Sequence, residues 1–211
     1  MKRASGSRYI ATANATDNEA AGKTGGEALA SRVGKGNVVL LRYQEGSAST
    51  ANREKGFLEA VAAHPDIKLV SDSQYGGATT ETAEKTSESL LASLNAAQGA
   101  VQGVFAPNES TTFGMLRALR QSGLVGKVHL VGFDASDKLV QGVRAGDIDG
   151  LVVQRPFEMG YLAVKTMVAH LRGQAVEKRI DTGSMLVTKD NLDAPDVQAL
   201  ITPDLKTWLG E

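Results

Sequence analysis

The chain has 211 residues, 42% of them hydrophobic and 22% charged, a balance that allows one large domain or two small ones with a substantial core. Its 23 basic and 24 acidic residues leave a formal net charge of −1, which provides no field to attract nucleic acid or an anionic membrane. There is no cysteine, so disulfides, thiolate catalysis and cysteine-held metals are excluded together.

The three histidines, His64, His129 and His170, stand far apart and none has a second ligand at metal-like spacing. His129 lies inside an apolar run and reads as a hydrogen-bonded structural residue. No metal site and no cofactor are expected. No apolar run approaches the roughly 20 residues that span a bilayer. The start, Met1-Lys2-Arg3-Ala4-Ser5-Gly6, is basic but lacks the apolar stretch of a secretory leader.

In chain order, Tyr9 to Ala13 is a short candidate strand, and Thr16-Asp17-Asn18-Glu19 reads as a helix start with acidic groups where the dipole favours them. The Ala- and Gly-rich helix that follows runs to about Val33. Within it Ala21-Gly22-Lys23-Thr24 imitates the end of a phosphate-binding loop, but Asp17 stands where that motif needs glycine, so no nucleotide site is read there.

From Gly36 the chain alternates. Strands are predicted at Val38–Leu41, Ile67–Val70, Val101–Ala106, Val128–Phe133 and Leu151–Val153. Helices are predicted between and after them at Asn52–Ala63, Thr80–Ala96, Thr111–Ser122, Asp137–Arg144 and Glu158–Leu171. Short Val-rich runs separated by helices predict an α/β fold, a parallel sheet of about five strands with helices on both faces and right-handed crossovers. Ile180–Thr188 reads as one further edge strand. The remainder, to Glu211, reads as a surface tail anchored by Leu200, Leu205 and Trp208.

Ligands of open α/β sheets sit beyond the carboxyl ends of the strands. At those ends stand Ser47 and Ser49 with Arg53 just inside the next helix, then Tyr75, Asn108, Asp134 and Gln154. A sugar hydroxyl both donates and accepts, and this set suits it. Asp134 accepts two bonds, Arg53 donates two in a fixed fork, and Asn108 and Gln154 each offer both kinds. The rings of Tyr75 or Phe133 could pack on the apolar face of a sugar ring, although Phe133 reads equally well as core. No nucleophile–base pair belongs to the set, so binding is preferred to catalysis and no catalytic residue is assigned.

Four segments carry a resemblance: Arg53-Glu54-Lys55-Gly56-Phe57, Phe105-Ala106-Pro107-Asn108-Glu109, Val131-Gly132-Phe133-Asp134, and Gly150 to Pro156. With Ala15-Thr16-Asp17-Asn18 they resemble the ribose-type periplasmic sugar-binding proteins, the substrate receptors of ABC importers. The resemblance implies a two-lobed type I binding-protein fold, a monosaccharide ligand (pentose or hexose), a membrane permease as partner, and a periplasmic or extracellular parent protein. It places ligand contacts on Arg53, Asn108, Asp134 and Gln154, with Ser47, Ser49 and Phe133 corresponding more weakly. The loop from Tyr75 to Thr80 departs from the ribose receptors.

On this resemblance residues 36–154 form a complete second lobe. Residues 1–35 and 155–211 are remnants of a first lobe whose greater part would precede the Thr-Asp-Asn segment. Helices 17–33 and 158–172 would then lack a sheet to cover, exposing apolar surface and favouring a homo-oligomer. Half a cleft should bind sugar weakly or not at all. The effector core of a LacI-type regulator shares several of these signals and is the alternative, with a sugar-processing enzyme behind it.

Overall fold

Apolar runs with no polar face need cover on both sides. The computed structural model, which describes residues 12–210 without the side chains of residues 208 and 209, provides it. In chain order the strands are β1 (Ala13–Ala15), β2 (Gly36–Arg42), β3 (Ile67–Tyr75), β4 (Gly103–Phe105), β5 (His129–Phe133), β6 (Gly150–Gln154), β7 (Arg179–Asp181) and β8 (Ser184–Val187). The helices are α1 (Asn18–Val33), α2 (Ala48–Ala62), α3 (Thr80–Ser93), α4 (Glu109–Gln121), α5 (Asp137–Ala145), α6 (Pro156–Leu171), α7 (Pro195–Ile201) and α8 (Leu205–Leu209).

The chain divides into two units. The smaller holds the chain up to Asp17 and Gln154–Ser184, and the larger holds Asn18–Val153 and the chain from Met185 onward. The main sheet has the order β3-β2-β4-β5-β6-β8, with the β2–β3, β2–β4, β4–β5 and β5–β6 pairs parallel. The chain winds outward from β2 to β3, then crosses back to β4 on the other side of β2. The strand order therefore reverses between β2 and β4, the point where such sheets open a crevice at their carboxyl rim.

Alternation along the strands sorts the core into two layers. Val39, Leu41, Val104, Leu130, Leu151 and Val153 face a cluster that includes Leu90, Leu91, Met115, Leu119, Leu139 and Val143 from α3, α4 and α5. Val38, Leu40, Phe105, Val131, Phe133 and Val152 face the opposite cluster, with Leu29 from α1 and Phe57 and Val61 from α2. There the rings of Phe57 and Phe105 stack 4.6 Å apart.

Helix α1 corrects one expectation. It does not lack a sheet; its Ala21, Leu29 and Ala30 are buried with β2, β4 and β5. The small residues serve close approach. A Cβ on Gly22 would lie 1.9 Å from the Arg53 carbonyl oxygen, and one on Gly56 would lie 2.0 Å from that of Glu19. The tail corrects a second expectation, because Leu192 and Val197 are buried in the core of the larger unit. The expected boundary at residue 35 falls instead between Asp17 and Asn18, and the expected boundary at residue 155 encloses only the segment to Ser184.

Three further differences have local causes. The edge strand β3 runs five residues past Val70, because its polar stretch Ser71–Gln74 needs only one paired side. Ile180–Thr188 is not one strand: it breaks at Thr182-Gly183 into β7, paired with β1, and β8, which joins the main sheet as its sixth strand. Leu200 packs on the core as expected, but Leu205 is exposed. The candidate strand at Tyr9 falls outside the described residues up to Ala11, and the Trp208 side chain is likewise outside them.

In the smaller unit β1 and β7 form a parallel pair. The Asp181 carboxylate accepts from the backbone N–H groups of Asp17 at 2.8 Å and Gly183 at 2.9 Å. Those bonds, the Gly183 one foremost, hold it below its ordinary pKa. Helix α6 belongs to this unit and exposes a row of large apolar side chains, as expected for residues 158–172.

Candidate functional site

Arg53 stands in the second turn of α2, since that helix begins four residues earlier than the periodicity predicted. The helix is fixed to β2 by Glu54, whose buried carboxylate pairs with Arg42 Nη1 at 2.7 Å and accepts from the Tyr43 N–H at 3.2 Å. Arg53 itself is only 5% exposed. Its guanidinium carbon lies 3.8 Å from the centre of the Phe133 ring, within cation–π range. Nε donates to Asn18 Oδ1 at 2.9 Å, and Nη1 donates to the Pro107 carbonyl at 2.8 Å. Burial pushes this guanidinium below its ordinary pKa, and the Asp134 carboxylate nearby pulls the other way. It remains a cation, because no ordinary environment deprotonates arginine near neutral pH.

The Gly132-Phe133-Asp134 segment has a distinct physical reason at each position. At Gly132 a Cβ would lie 2.1 Å from Thr112 Cγ2, so α4 can approach the strand end only over glycine. Thr112, fully buried, accepts from the Phe133 N–H at 3.1 Å and donates to the Asn108 carbonyl at 2.7 Å. Phe133 has no exposed surface and serves as the shelf under Arg53. Asp134 then turns out of the sheet with φ of 70°, a left-handed conformation that few residues other than glycine adopt. Its Oδ2 accepts from the Glu109 N–H at 3.1 Å, at the amino end of α4 where the helix dipole favours a carboxylate.

The sequence-predicted residues divide accordingly. Arg53, Phe133, Asp134 and the Pro107-Asn108 turn come together at the carboxyl rim beside the β2/β4 reversal. Asn108 is the N-cap of α4: its Oδ1 accepts from the Thr111 N–H at 3.3 Å and from the Thr111 hydroxyl at 2.6 Å, and its Nδ2 donates to Ser110 Oγ at 3.2 Å. Phe133 cannot offer its ring to a sugar, because Arg53 covers it and nothing of it is exposed. Gln154 closes β6, two residues beyond Val152, the register partner of Phe133. Ser47 caps α2 without a side-chain cap bond, and Ser49 is exposed in the first turn. Tyr75 lies at the end of edge strand β3, with its ring facing Arg42 at 5.9 Å.

Three participants were not predicted. Asn18 and the Pro107 carbonyl hold the guanidinium, and Thr112 ties the β5 end to α4. Asn18 had a signal, since it stands in the Thr-Asp-Asn segment before the first helix. Ser136, the cap of α5, makes no side-chain cap bond, and its buried Oγ has no partner two residues from Asp134. Among the described residues no cluster of three or more His, Cys, Asp or Glu could hold a metal, and no helix is long and apolar enough to cross a membrane. Chemically, the rim offers a fixed forked cation, a carboxylate and amide groups against a dry apolar base, an arrangement for holding hydroxyls in defined directions.

A family model described as a periplasmic binding protein domain matches residues 3–175. The ribose import binding protein of Haemophilus influenzae is 32% identical over 176 residues, which are 83% of this chain and 58% of that protein. The xylitol-binding protein of Mycolicibacterium smegmatis is 29% identical over 84% of this chain and 50% of that protein. Among solved structures, an ABC transporter solute binding protein from Agrobacterium vitis with bound D-fucose superposes with a TM-score of 0.84 at 34% identity, covering 92% of this chain and 66% of that one. A carbohydrate transporter solute binding protein from Agrobacterium radiobacter, in complex with D-arabinose, gives 0.83 at 34% identity, covering 91% and 66%. The chain thus spans less than two thirds of the curated relatives it matches. With its parallel sheet, its rim and a family match over most of its length, the chain belongs to the periplasmic binding protein domain family.

Proposed function

We propose that this chain carries the sugar-contacting rim of a substrate receptor for an ABC-type carbohydrate importer, whose parent protein works in the periplasm or outside the cell beside a membrane permease. The observation that carries the reading is the buried Arg53 guanidinium, stacked on Phe133 and tethered at two of its nitrogens, next to Asp134 in a left-handed turn. Such an investment of desolvation and backbone strain has its use in recognition. Within the larger unit Arg53 and Asp134 make the principal contacts, with Asn108 contributing through its amide and Ser47 and Ser49 lying further out. Relatives named for ribose, xylitol, allose and galactofuranose support a monosaccharide or polyol ligand over a regulator's effector. The absence of a nucleophile–base pair in the rim supports binding without turnover.

The test is calorimetry with D-ribose, D-allose, D-arabinose, D-fucose and xylitol, each followed by analysis of the recovered sugar. A rim of a few directed bonds should give dissociation constants on the order of 1 mM, about −4 kcal/mol, for at least one of them. The sugar should be recovered unchanged. No binding by any of the panel, or recovery of a converted product, would overturn the reading.

A further inference from the structure

The larger unit holds a cavity of about 350 Å³ at the pole opposite its carboxyl rim. It lies at the amino ends of β5 and β6, between the last turn of α1 and the turn that follows β8. Ala28, Val131, Ile148 and Leu186 give it apolar walls. The same lining carries two cations, Arg32 and Lys189, and two carboxylates, Asp149 and Asp190. Asp149 is satisfied within the fold. Its Oδ1 accepts from Arg32 Nε at 2.7 Å and meets His129 Nδ1 at 3.0 Å, and its Oδ2 accepts from the Leu130 N–H at 3.0 Å. The bond through Nε leaves the Nη1–Nη2 edge of Arg32 without a partner among the described residues. Lys189 Nζ likewise makes no ion pair among them, and it lies 3.8 Å from where a Cβ on Gly146 would stand. That is the carboxyl end of α5, where the helix dipole favours a cation.

We propose that this cavity binds a small organic monocarboxylate with an apolar body, of the size of benzoate. The open edge of the Arg32 guanidinium matches the two oxygens of a carboxylate as a fork, and Lys189 adds a point charge. Asp149 engages the other edge, so the guanidinium is oriented before a ligand arrives and less freedom is lost on binding. The apolar walls then favour a ligand whose body leaves water, which an inorganic anion cannot offer. At about 350 Å³ the cavity stands at the small end of the roughly 300–1,000 Å³ usual for ligand pockets, which suits one ring or a short chain. A neutral polyol would leave both cationic groups facing uncharged oxygens. Asp190 is the one acid of the lining without a donor among the described residues. It opposes an anion, so its neutralisation should tighten the complex. Every residue of the cavity belongs to the larger unit, and the site makes no use of the sugar rim.

Amide-resolved NMR titration of the whole chain with sodium benzoate tests it, beside sodium acetate, benzyl alcohol and inorganic phosphate at equal ionic strength. Benzoate should reach half-saturation on the order of 1 mM, with shifts gathered at Ser31 to Val33, Ile148 to Gly150 and Thr188 to Asp190 and none at Asp134. Acetate lacks the body, phosphate likewise, and benzyl alcohol lacks the charge, so each should need at least about tenfold more. Arg32→Gln and Lys189→Gln, both at exposed sites, should keep the circular dichroism of the wild type and weaken benzoate several-fold. Asp190→Asn should strengthen it. The proposal is overturned by a wild type without saturable shifts at these amides, or by acetate, phosphate or benzyl alcohol binding as well as benzoate. It is equally overturned if Arg32→Gln binds benzoate like the wild type, or if Asp190→Asn binds it more weakly.

Discussion

Replacing Arg53 with alanine is expected to destabilise the larger unit by about 3 kcal/mol, measured by urea unfolding, and to remove sugar binding altogether. The stability loss has three sources. The guanidinium leaves the Phe133 ring, the Pro107 carbonyl loses its donor, and Asn18 Oδ1 loses its donor at the start of α1. Leaving buried acceptors unpaired costs more than the net value of the bonds they made. Arg53→Lys separates the two effects. An ammonium keeps the charge but cannot stack flat while reaching two acceptors in a fork. That variant should recover part of the stability and none of the binding. If Arg53→Ala unfolded at the wild-type midpoint, the guanidinium would be a passenger on the Phe133 shelf and the rim would lose its anchor.

At Asp134 the expectation runs the other way, with binding lost and the fold kept. Its φ of 70° costs a residue with a Cβ about 1 kcal/mol, a cost that asparagine bears more easily than alanine and glycine escapes. Asp134→Asn should therefore hold the left-handed turn and an acceptor for the Glu109 N–H while removing the charge. Its stability should stay within about 1 kcal/mol of the wild type, and sugar affinity should fall at least about tenfold, equivalent to about 1.4 kcal/mol. Asp134→Gly should be more stable than Asp134→Ala by about 1 kcal/mol, with neither binding sugar. Thermal unfolding of the three variants checks the order. Equal stability for the glycine and alanine variants would mean that the turn imposes no such constraint.

The larger part of the architecture is legible in the sequence, because strands covered on both faces must be apolar throughout, and those runs stand out between amphipathic helices. The carboxyl rim follows from the same alternation, so Asp134 and Gln154 fall at strand ends and Asn108 and Arg53 at the start of the helices that follow strands. What the pattern could not carry is the direction of individual side chains. Phe133 was open between a ring offered to a ligand and a place in the core, and it lies in the core under Arg53. An aromatic residue at the last position of a strand carries no mark of which side it faces. Asn108 was legible as a strand-end amide, but its capping bonds to Thr111 emerge only once α4 has a defined start.

Helix α1 is the instructive miss. Its Ala- and Gly-rich composition shows little amphipathic character, and the family resemblance assigned it to another lobe. The physical signal was present in Gly22, Gly25 and Gly26, which share one face of the helix. Small residues there let a backbone approach closely, as the Gly22 contact with the Arg53 carbonyl shows. The polar end of β3 escaped notice for the complementary reason, since an edge strand can be half solvated and still pair. The split between β7 and β8 depends on two different sheets taking up neighbouring segments, which no local pattern encodes.

The central claim is that the rim built on Arg53 and Asp134 is where sugar binds, and amide-resolved NMR titration tests it most directly. With D-ribose or D-arabinose added to the isotope-labelled chain, the shifts within the larger unit should concentrate at Ser47 to Arg53, Asn108 to Ser110 and Asp134 to Ser136, and Asp134→Asn should need at least about tenfold more sugar to reach them. Shifts elsewhere in that unit, or shifts in Asp134→Asn at the same sugar concentration as in the wild type, would contradict it.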